Sequence, residues 1–383
     1  MYGQFQSLLE AFQHQVSTRP KDKALLIPNG TKYDEINLQD LDIIINKYAY
    51  YWNKQLVNKN LDKNSVIGYL AQSGPEYLFN SMALWKLDFQ ILFLSPRNSE
   101  SALIHLLQES KSRILIYDPQ LSKISVNVQN KINSQHSQSL NIFQFPKNLK
   151  DEKIDHFTPV LRLDENSYEK IIAIFHSSGS TSFPKLVHIS NRYFLKAAET
   201  NNFHEIILST PPLFHVYGFA VALRYVLAHG SVYAFPIVAG SIPLVNEVLH
   251  SLKQSNARIF YTLSATLEQI YKNYPDEIKT LLNLKSIFYG GAALLPQVGE
   301  QLVQSGFKIR NSYGSTETGL LMVAPENLSP DIPWDAMKPV APESDIKWIK
   351  RNDILDGAKE LAIKKSYQSL ASIKENTDSD FQE

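Results

Sequence analysis

The chain has 383 residues, 44% hydrophobic and 20% charged, a composition ordinary for a globular protein of about two or three domains or one large α/β unit. Its 38 Lys and Arg balance 38 Asp and Glu, so no basic excess draws it to nucleic acid or an anionic membrane. The absence of cysteine excludes disulfide staples, thiolate nucleophiles and cysteine zinc sites, and fits a reducing compartment.

At the N-terminus Phe5, Leu8, Leu9 and Phe12 fall at helical spacing, without the basic start and apolar core of a leader. No run approaches the roughly 18 apolar residues of a membrane span, so the expected location is cytoplasmic. Leu38 to Trp52 reads as helix, VIGYL (centred on 67–70) as strand, and Pro75 to Leu87 as helix. ILFLS (91–95) and ILIY (114–117) are short apolar runs on either side of a further helix, Glu100 to Ser110. Short β-branched runs separated by helices predict parallel strands with crossover connections.

The polar, Ser/Asn/Gln-rich stretch 119–168 reads as surface structure with one strand, and as a boundary. A second alternation begins at IIAIF (171–175), with strands expected at EIILS (205–209), SVYAF (231–235), RIFYT (258–262) and SIFY (286–289). Beyond about Leu320, DIKWIKR and KELAIKK have the texture of short strands, and the final KENTDSDFQE carries little to bury. The expected fold is α/β: two stacked αβ subdomains with mostly parallel sheets, 1–168 and 169–320, plus a small β module, 321–383.

The sharpest local signal is His176-Ser177-Ser178-Gly179-Ser180-Thr181-Ser182-Phe183-Pro184-Lys185, between the strand IIAIF and a strand-like LVHIS. Small hydroxyl residues leave backbone N–H groups unhindered and add O–H donors for phosphate oxygens, and Lys185 adds a point charge. It is not a Walker loop: Ser182 and Phe183 stand where a second glycine belongs, and proline precedes the lysine. A Ser-rich surface turn is the alternative.

The segment is similar to the phosphate loop of the adenylate-forming superfamily (acyl- and aryl-CoA synthetases, luciferases, nonribosomal-peptide adenylation domains), whose pattern is T-S-G-S-T-G-x-P-K-G. Ser177, Ser178, Gly179, Ser180, Thr181, Pro184 and Lys185 match, while Ser182 and Leu186 replace glycines. Asn311-Ser312-Tyr313-Gly314-Ser315-Thr316-Glu317 resembles the family's N-x-Y-G-x-T-E. The resemblance implies that Tyr313 stacks on adenine, Asn311 reads its polar edge, Gly314 lets the backbone approach, Thr316 donates to the α-phosphate and Glu317 holds Mg²⁺. Alone, such a string is equally a turn before a strand.

Gly290, Gly291 and Ala292 follow SIFY, where the family's glycine pair lines the adenine and acyl pocket; a tight strand-to-helix turn uses the same geometry. Pro212-Leu213-Phe214-His215-Val216-Tyr217-Gly218 resembles the P-x-F-H-x-x-G of acyl- and aryl-CoA synthetases, with His215 orienting the carboxylate. Amino-acid-activating domains carry F-D-x-S there; no such aspartate is present, which favours an aryl, fatty or other simple acid. Leu94-Ser95-Pro96-Arg97-Asn98-Ser99, His105-Leu106-Leu107 and the His176-Ser177-Ser178 preamble resemble the adenylation domains of fungal nonribosomal-peptide-synthetase-like enzymes.

The resemblance implies ATP/AMP and Mg²⁺ as ligands, with Lys185, Thr316, Glu317 and His215 as catalytic residues, and a thiol of CoA or phosphopantetheine as acceptor, on a carrier protein or downstream domain. It runs from about residue 20 to the end, without the T-G-D motif, the hinge and the lysine-bearing lid that follow in the family. The expectation is an incomplete version of the synthetase that binds ATP or acyl-adenylate weakly and turns over little by itself. The other readings are a non-catalytic nucleotide- or acyl-binding relative, and a half-enzyme whose lid comes from a partner.

Overall fold

The N-terminal apolar spacing forms α1 (Leu8–Thr18), started by Ser7, whose Oγ accepts the Glu10 N–H at 3.0 Å. Phe5, Leu8, Leu9 and Phe12 are all buried. The computed structural model describes residues 4–56, 59, 61–62, 64–135, 139–146, 148–149, 157–177, 183–199, 203–237, 243–326, 331–340, 345–350, 359–364 and 381–382.

Strands β1 (Lys23–Asn29) and β2 (Lys32–Asn37) form an antiparallel hairpin. A strict alternation follows: α2 (Leu38–Leu56), β3 (Val66–Leu70), α3 (Pro75–Lys86), β4 (Gln90–Leu94), α4 (Glu100–Glu109) and β5 (Ile114–Tyr117). Pro75 sits in the first turn of α3, where a missing N–H costs nothing. Ser99 Oγ accepts the Ala102 N–H at 3.2 Å and starts α4.

The stretch 119–168 departs from its expectation. It carries α5 (Ser122–Gln135) as well as the one strand, β6 (Asn141–Gln144), which pairs in parallel with β5. Ile124, Val128 and Ile132, four residues apart, pack with Leu103, Leu106 and Leu107 of α4 in one core cluster. A stripe of one apolar residue per turn is too narrow to stand out among Ser, Asn and Gln.

The chain then runs through β7 (Ile171–Ser177), β8 (Lys185–Ser190), α6 (Asn191–Glu199), β9 (Ile206–Ser209), α7 (Val216–Leu227), β10 (Val232–Ala234), α8 (Val245–Ser255) and β11 (Ile259–Leu263). Two compact units result, Met1–Tyr261 and Thr262–Glu383. The first unit holds a six-stranded sheet, β6-β5-β3-β4-β7-β8, parallel except for the β7–β8 hairpin at one edge. It also holds the run β11-β9-β10-β1, parallel throughout, with β2 antiparallel at its end. Sheet membership therefore does not follow the limit drawn at 168: β7 pairs with β4, and N-terminal β1 pairs with β10.

Tyr69, Tyr77, Phe93, Phe175 and Phe219 form an aromatic core, Phe93 lying 4.7 Å from both Phe175 and Phe219 between ring centroids. The two buried indoles find partners: Trp85 Nε1 donates to Ile172 O at 2.8 Å and Trp52 Nε1 to Asn80 Oδ1 at 2.6 Å.

The second unit carries α9 (Ser264–Asn273), β12 (Ser286–Gly290), α10 (Pro296–Gln304), β13 (Ile309–Ser315), β14 (Gly319–Val323), β15 (Lys338–Pro339), β16 (Ile346–Lys350), β17 (Lys359–Lys364) and β18 (Phe381–Gln382). Strands β12 and β13 are parallel, and β13-β14-β15 antiparallel. The strands expected in DIKWIKR and KELAIKK are β16 and β17, antiparallel from Ile346–Ile363 to Lys350–Lys359. Leu321 and Ile363 are buried together, with Met322, Ile346 and Leu361 packed against them. Among the described residues no helix is long and apolar enough to cross a membrane.

Candidate functional site

The sequence-predicted residues fall into two sets, one on each unit. On the first unit, β7 ends at Ser177, which pairs across the hairpin with Lys185, and His176 pairs with Leu186. Ser178, Gly179, Ser180 and Thr181 lie outside the described residues, as does Ser182. Where the chain returns, Phe183 stacks on the His105 ring of α4, centroids 4.8 Å apart. Lys185 is exposed at the foot of the returning strand, and Leu186 packs against the β3–α4–α5 core. The hairpin is thus pinned by an aromatic contact on one side and an aliphatic one on the other.

His215 occupies the N-cap of α7 in extended backbone (φ −110°, ψ 141°) and makes no capping bond with its ring. Ser, Thr, Asn or Asp would satisfy that helix end better, so the imidazole is not explained by the helix. The preceding turn is held by the Leu213 N–H on Ser73 Oγ at 2.9 Å, and the His215 ring leans on Phe214. Although His215 is exposed by area, the surrounding protein crowds it and holds its pKa below the ordinary value, and the Arg97 charge adds to this. His176 is pushed further down, to about 4, first by burial and then by His215.

Sequence reasoning quoted His176 and the Ser95–Asn98 segment as motif residues but gave neither a role in the site. His176 Nε2 receives the Ser95 N–H at 3.2 Å and stands 3.2 Å from Asn98 Nδ2. The usable signal was that SPRN and HSS each directly follow an apolar strand; only the pairing of β4 with β7 makes them neighbours.

On the second unit, β12 and β13 run in parallel with Tyr289 opposite Asn311, and Ser312 Oγ donates to Tyr289 O at 2.8 Å. Gly290 is buried, and after it the backbone of Gly291, at φ +83°, and Ala292 lies open. Tyr313, on the neighbouring strand, is 54% exposed, unusual for an aromatic residue in a paired strand. Next come Gly314 and the turn Thr316–Thr318, with Thr316 and Glu317 half-buried. A Cβ on Gly314 would lie 2.0 Å from Gly319 O, so the two arms of this hairpin touch backbone to backbone. Ser315 Oγ accepts the Thr318 N–H at 3.2 Å and closes the turn. The arrangement offers an open backbone floor, an aromatic face beside it, and a hydroxyl and a carboxylate on one rigid turn. No cluster of three His, Asp or Glu residues exists among the described residues. A single carboxylate fits Mg²⁺, which keeps water and substrate phosphates as its other ligands, better than a metal that needs a full protein cage.

The non-canonical non-ribosomal peptide synthetase ascB of Acremonium egyptiacum is 26% identical over 321 residues, 76% of this chain and 27% of that protein. The adenylate-forming reductase stbB of Stachybotrys bisbyi is 29% identical over 273 residues, 68% of this chain and 25% of that protein. The chain thus spans about a quarter of the length of these two relatives. Among solved structures, the o-succinylbenzoate CoA synthetase of Bacillus subtilis superposes with a TM-score of 0.72 at 18% identity, covering 92% of this chain and 69% of that one, and so shares the fold. Residues 12–349 match the AMP-binding enzyme family, and the chain belongs to this adenylate-forming family.

Proposed function

We propose that the chain activates a carboxylic acid other than an α-amino acid (aryl, fatty or similar) with ATP, as acyl-AMP, for transfer to the thiol of CoA or of a carrier-bound phosphopantetheine. The observation that carries this reading is His215, an imidazole at the N-terminus of α7 that makes no capping bond, where the amino-acid-activating pattern F-D-x-S would have an aspartate. Joining a carboxylate to a phosphate brings two anions together, so positive charge and alignment carry the catalysis. Lys185 at the foot of the β7–β8 hairpin supplies charge to the terminal phosphates, with Ser177 to Thr181 as donors, and His215 orients the acid. Tyr313 stacks on adenine, with Asn311, Gly290, Gly291, Ala292 and Gly314 lining its site. Thr316 donates to the α-phosphate, and Glu317 holds the Mg²⁺ that neutralises the polyphosphate.

The test is binding of non-hydrolysable acyl-sulfamoyl-adenosines that differ only in the acyl group. Benzoyl and decanoyl forms are expected to bind at least tenfold more tightly than AMP, and a phenylalanyl form no better than AMP. Tight binding of the phenylalanyl form alone would sink the reading. Binding without turnover is the second reading, and one observation favours it: Leu186, where the pattern T-S-G-S-T-G-x-P-K-G has glycine, packs against the core. If Leu186→Gly raises ATP affinity without creating acid-dependent ATP–pyrophosphate exchange, this second reading stands.

A further inference from the structure

Strand β4 pairs with β7 in parallel, Ile91 with Ala173 and Leu92 with Ile174. Both strands therefore deliver their following residues to the same carboxyl edge of the sheet, the edge at which open α/β sheets collect ligands. From β7 come His176 and Ser177; from β4 comes the turn Ser95–Asn98. That turn is built, not loose. The Asn98 N–H donates to Ser95 O at 3.1 Å and the Arg97 N–H to Ser95 Oγ at 3.2 Å.

The turn is fastened to β7 by His176, whose Nε2 faces two donors, the Ser95 N–H and the Asn98 side-chain amide, each at 3.2 Å. Both bonds need Nε2 as an acceptor, so the ring carries its proton on Nδ1 and stays neutral. Burial favours the same state. Held this way, the turn presents Arg97. Its side chain is exposed, and among the described residues it makes no ion pair or hydrogen bond. Among the described residues no carboxylate pairs with it, and its charge reaches His215. A planar guanidinium offers two parallel N–H groups to the two oxygens of a carboxylate or phosphate.

We infer that Arg97 binds a pair of anionic oxygens of the ligand at the carboxyl edge of β4 and β7, and that His176 is the positioning residue that holds its turn. This rests on the function proposed above and gives a role as reader of the ligand's charge to Arg97, a motif residue that the sequence left without one.

The experiment is equilibrium titration of the chain with four probes: Mg·ATP, AMP, inorganic pyrophosphate and benzoate. Wild type is compared with Arg97→Ala, His176→Gln, His176→Phe, Lys185→Ala and the double variant Arg97→Ala/His176→Phe, with thermal melts alongside. Arg97→Ala is expected to weaken at least one probe tenfold or more with an unchanged melting temperature. A loss confined to ATP, AMP or pyrophosphate assigns the phosphates, and a loss confined to benzoate assigns the acid's carboxylate. His176→Gln keeps an acceptor and retains most of the affinity, whereas His176→Phe loses as much as Arg97→Ala. The double variant is no weaker than either single one, because both remove the same contact. Additive losses in the double variant overturn the role of His176. Unchanged binding of all four probes by Arg97→Ala, with ATP still lost in Lys185→Ala, overturns the role of Arg97 and leaves the proposed function standing. A wild-type chain that binds none of the four overturns both.

Discussion

Two antiparallel hairpins carry most of the candidate residues, and they are held in opposite ways. The β13–β14 hairpin is fixed by backbone: Ser315 pairs with Gly319 around a three-residue turn, and Gly314 leaves no room for a Cβ against Gly319 O. The β7–β8 hairpin is fixed by side chains at its base: Phe183 on His105, Leu186 on the core, and His176 on the Ser95–Asn98 turn. The contrast suits two tasks. The metal and phosphate roles proposed for Glu317 and Thr316 would gain from a turn with one available conformation. The foot of β8, which bears Lys185, is instead held by what its neighbours offer, Leu186 packing on the core where the family pattern has glycine.

The contrast can be broken most forcefully at Gly314. Gly314→Ala drives a methyl into a carbonyl 2.0 Å away and is expected to cost about 3 kcal/mol, read as a lower melting temperature of the chain. A melt within error of wild type would show that the hairpin can open without consequence, and the backbone account would fail.

The next effect is one of pH, on the other hairpin. His176 titrates near 4 when folded and near its ordinary value of 6.5 when unfolded. The unfolded chain therefore binds the extra proton first as pH falls. Its contribution to stability is full above about pH 6.5 and is lost progressively down to about pH 4, by at most about 3 kcal/mol. His215, also held low and adjacent to Arg97, pushes in the same direction. Denaturant melts from pH 7 to pH 4 should show a shallower fall for His176→Gln than for wild type; parallel curves would remove His176 from the account.

Lys185→Ala is expected to weaken ATP binding about tenfold to a hundredfold, the worth of one charge-assisted contact, with the melting temperature unchanged. Equal ATP affinity in a calorimetric titration would mean that the lysine at the foot of β8 does not reach the nucleotide. The smallest effect is expected at Phe183, which is 41% exposed and holds its position by stacking on His105. Phe183→Ala should cost about 0.5–1 kcal/mol and weaken ATP binding slightly, sharpening the claim that this hairpin depends on side-chain contacts.

Much of the fold was legible because its signals are local. ILIY and SIFY become β5 and most of β12, Glu100 opens α4, and the fungal-type motifs sit where strands end. The helix α5 was missed because its apolar stripe is Ile124, Val128 and Ile132, one residue per turn among Ser, Asn and Gln, and its burial depends on packing with Leu103, Leu106 and Leu107 of α4. For the candidate site, the motif residues were legible as types and spacings, since hydroxyl, glycine and lysine chemistry is written in the residues themselves. Arg97 and His176 were legible as motif residues but not as neighbours, because the pairing of β4 with β7 that joins their segments is not written in either stretch.

The sequence by itself determined the alternation of strands and helices, the family-like loops and the absence of cysteine chemistry, since each depends on side-chain type and short-range spacing alone. Only the tertiary structure decided that β7 joins β4, that His176 therefore faces the Ser95–Asn98 turn, and that the Arg97 side chain has no ion pair or hydrogen bond among the described residues. The physical reason is that strand neighbours are chosen by the burial of whole faces and by hydrogen bonding between segments about 80 residues apart, a sum over the chain that no short stretch contains.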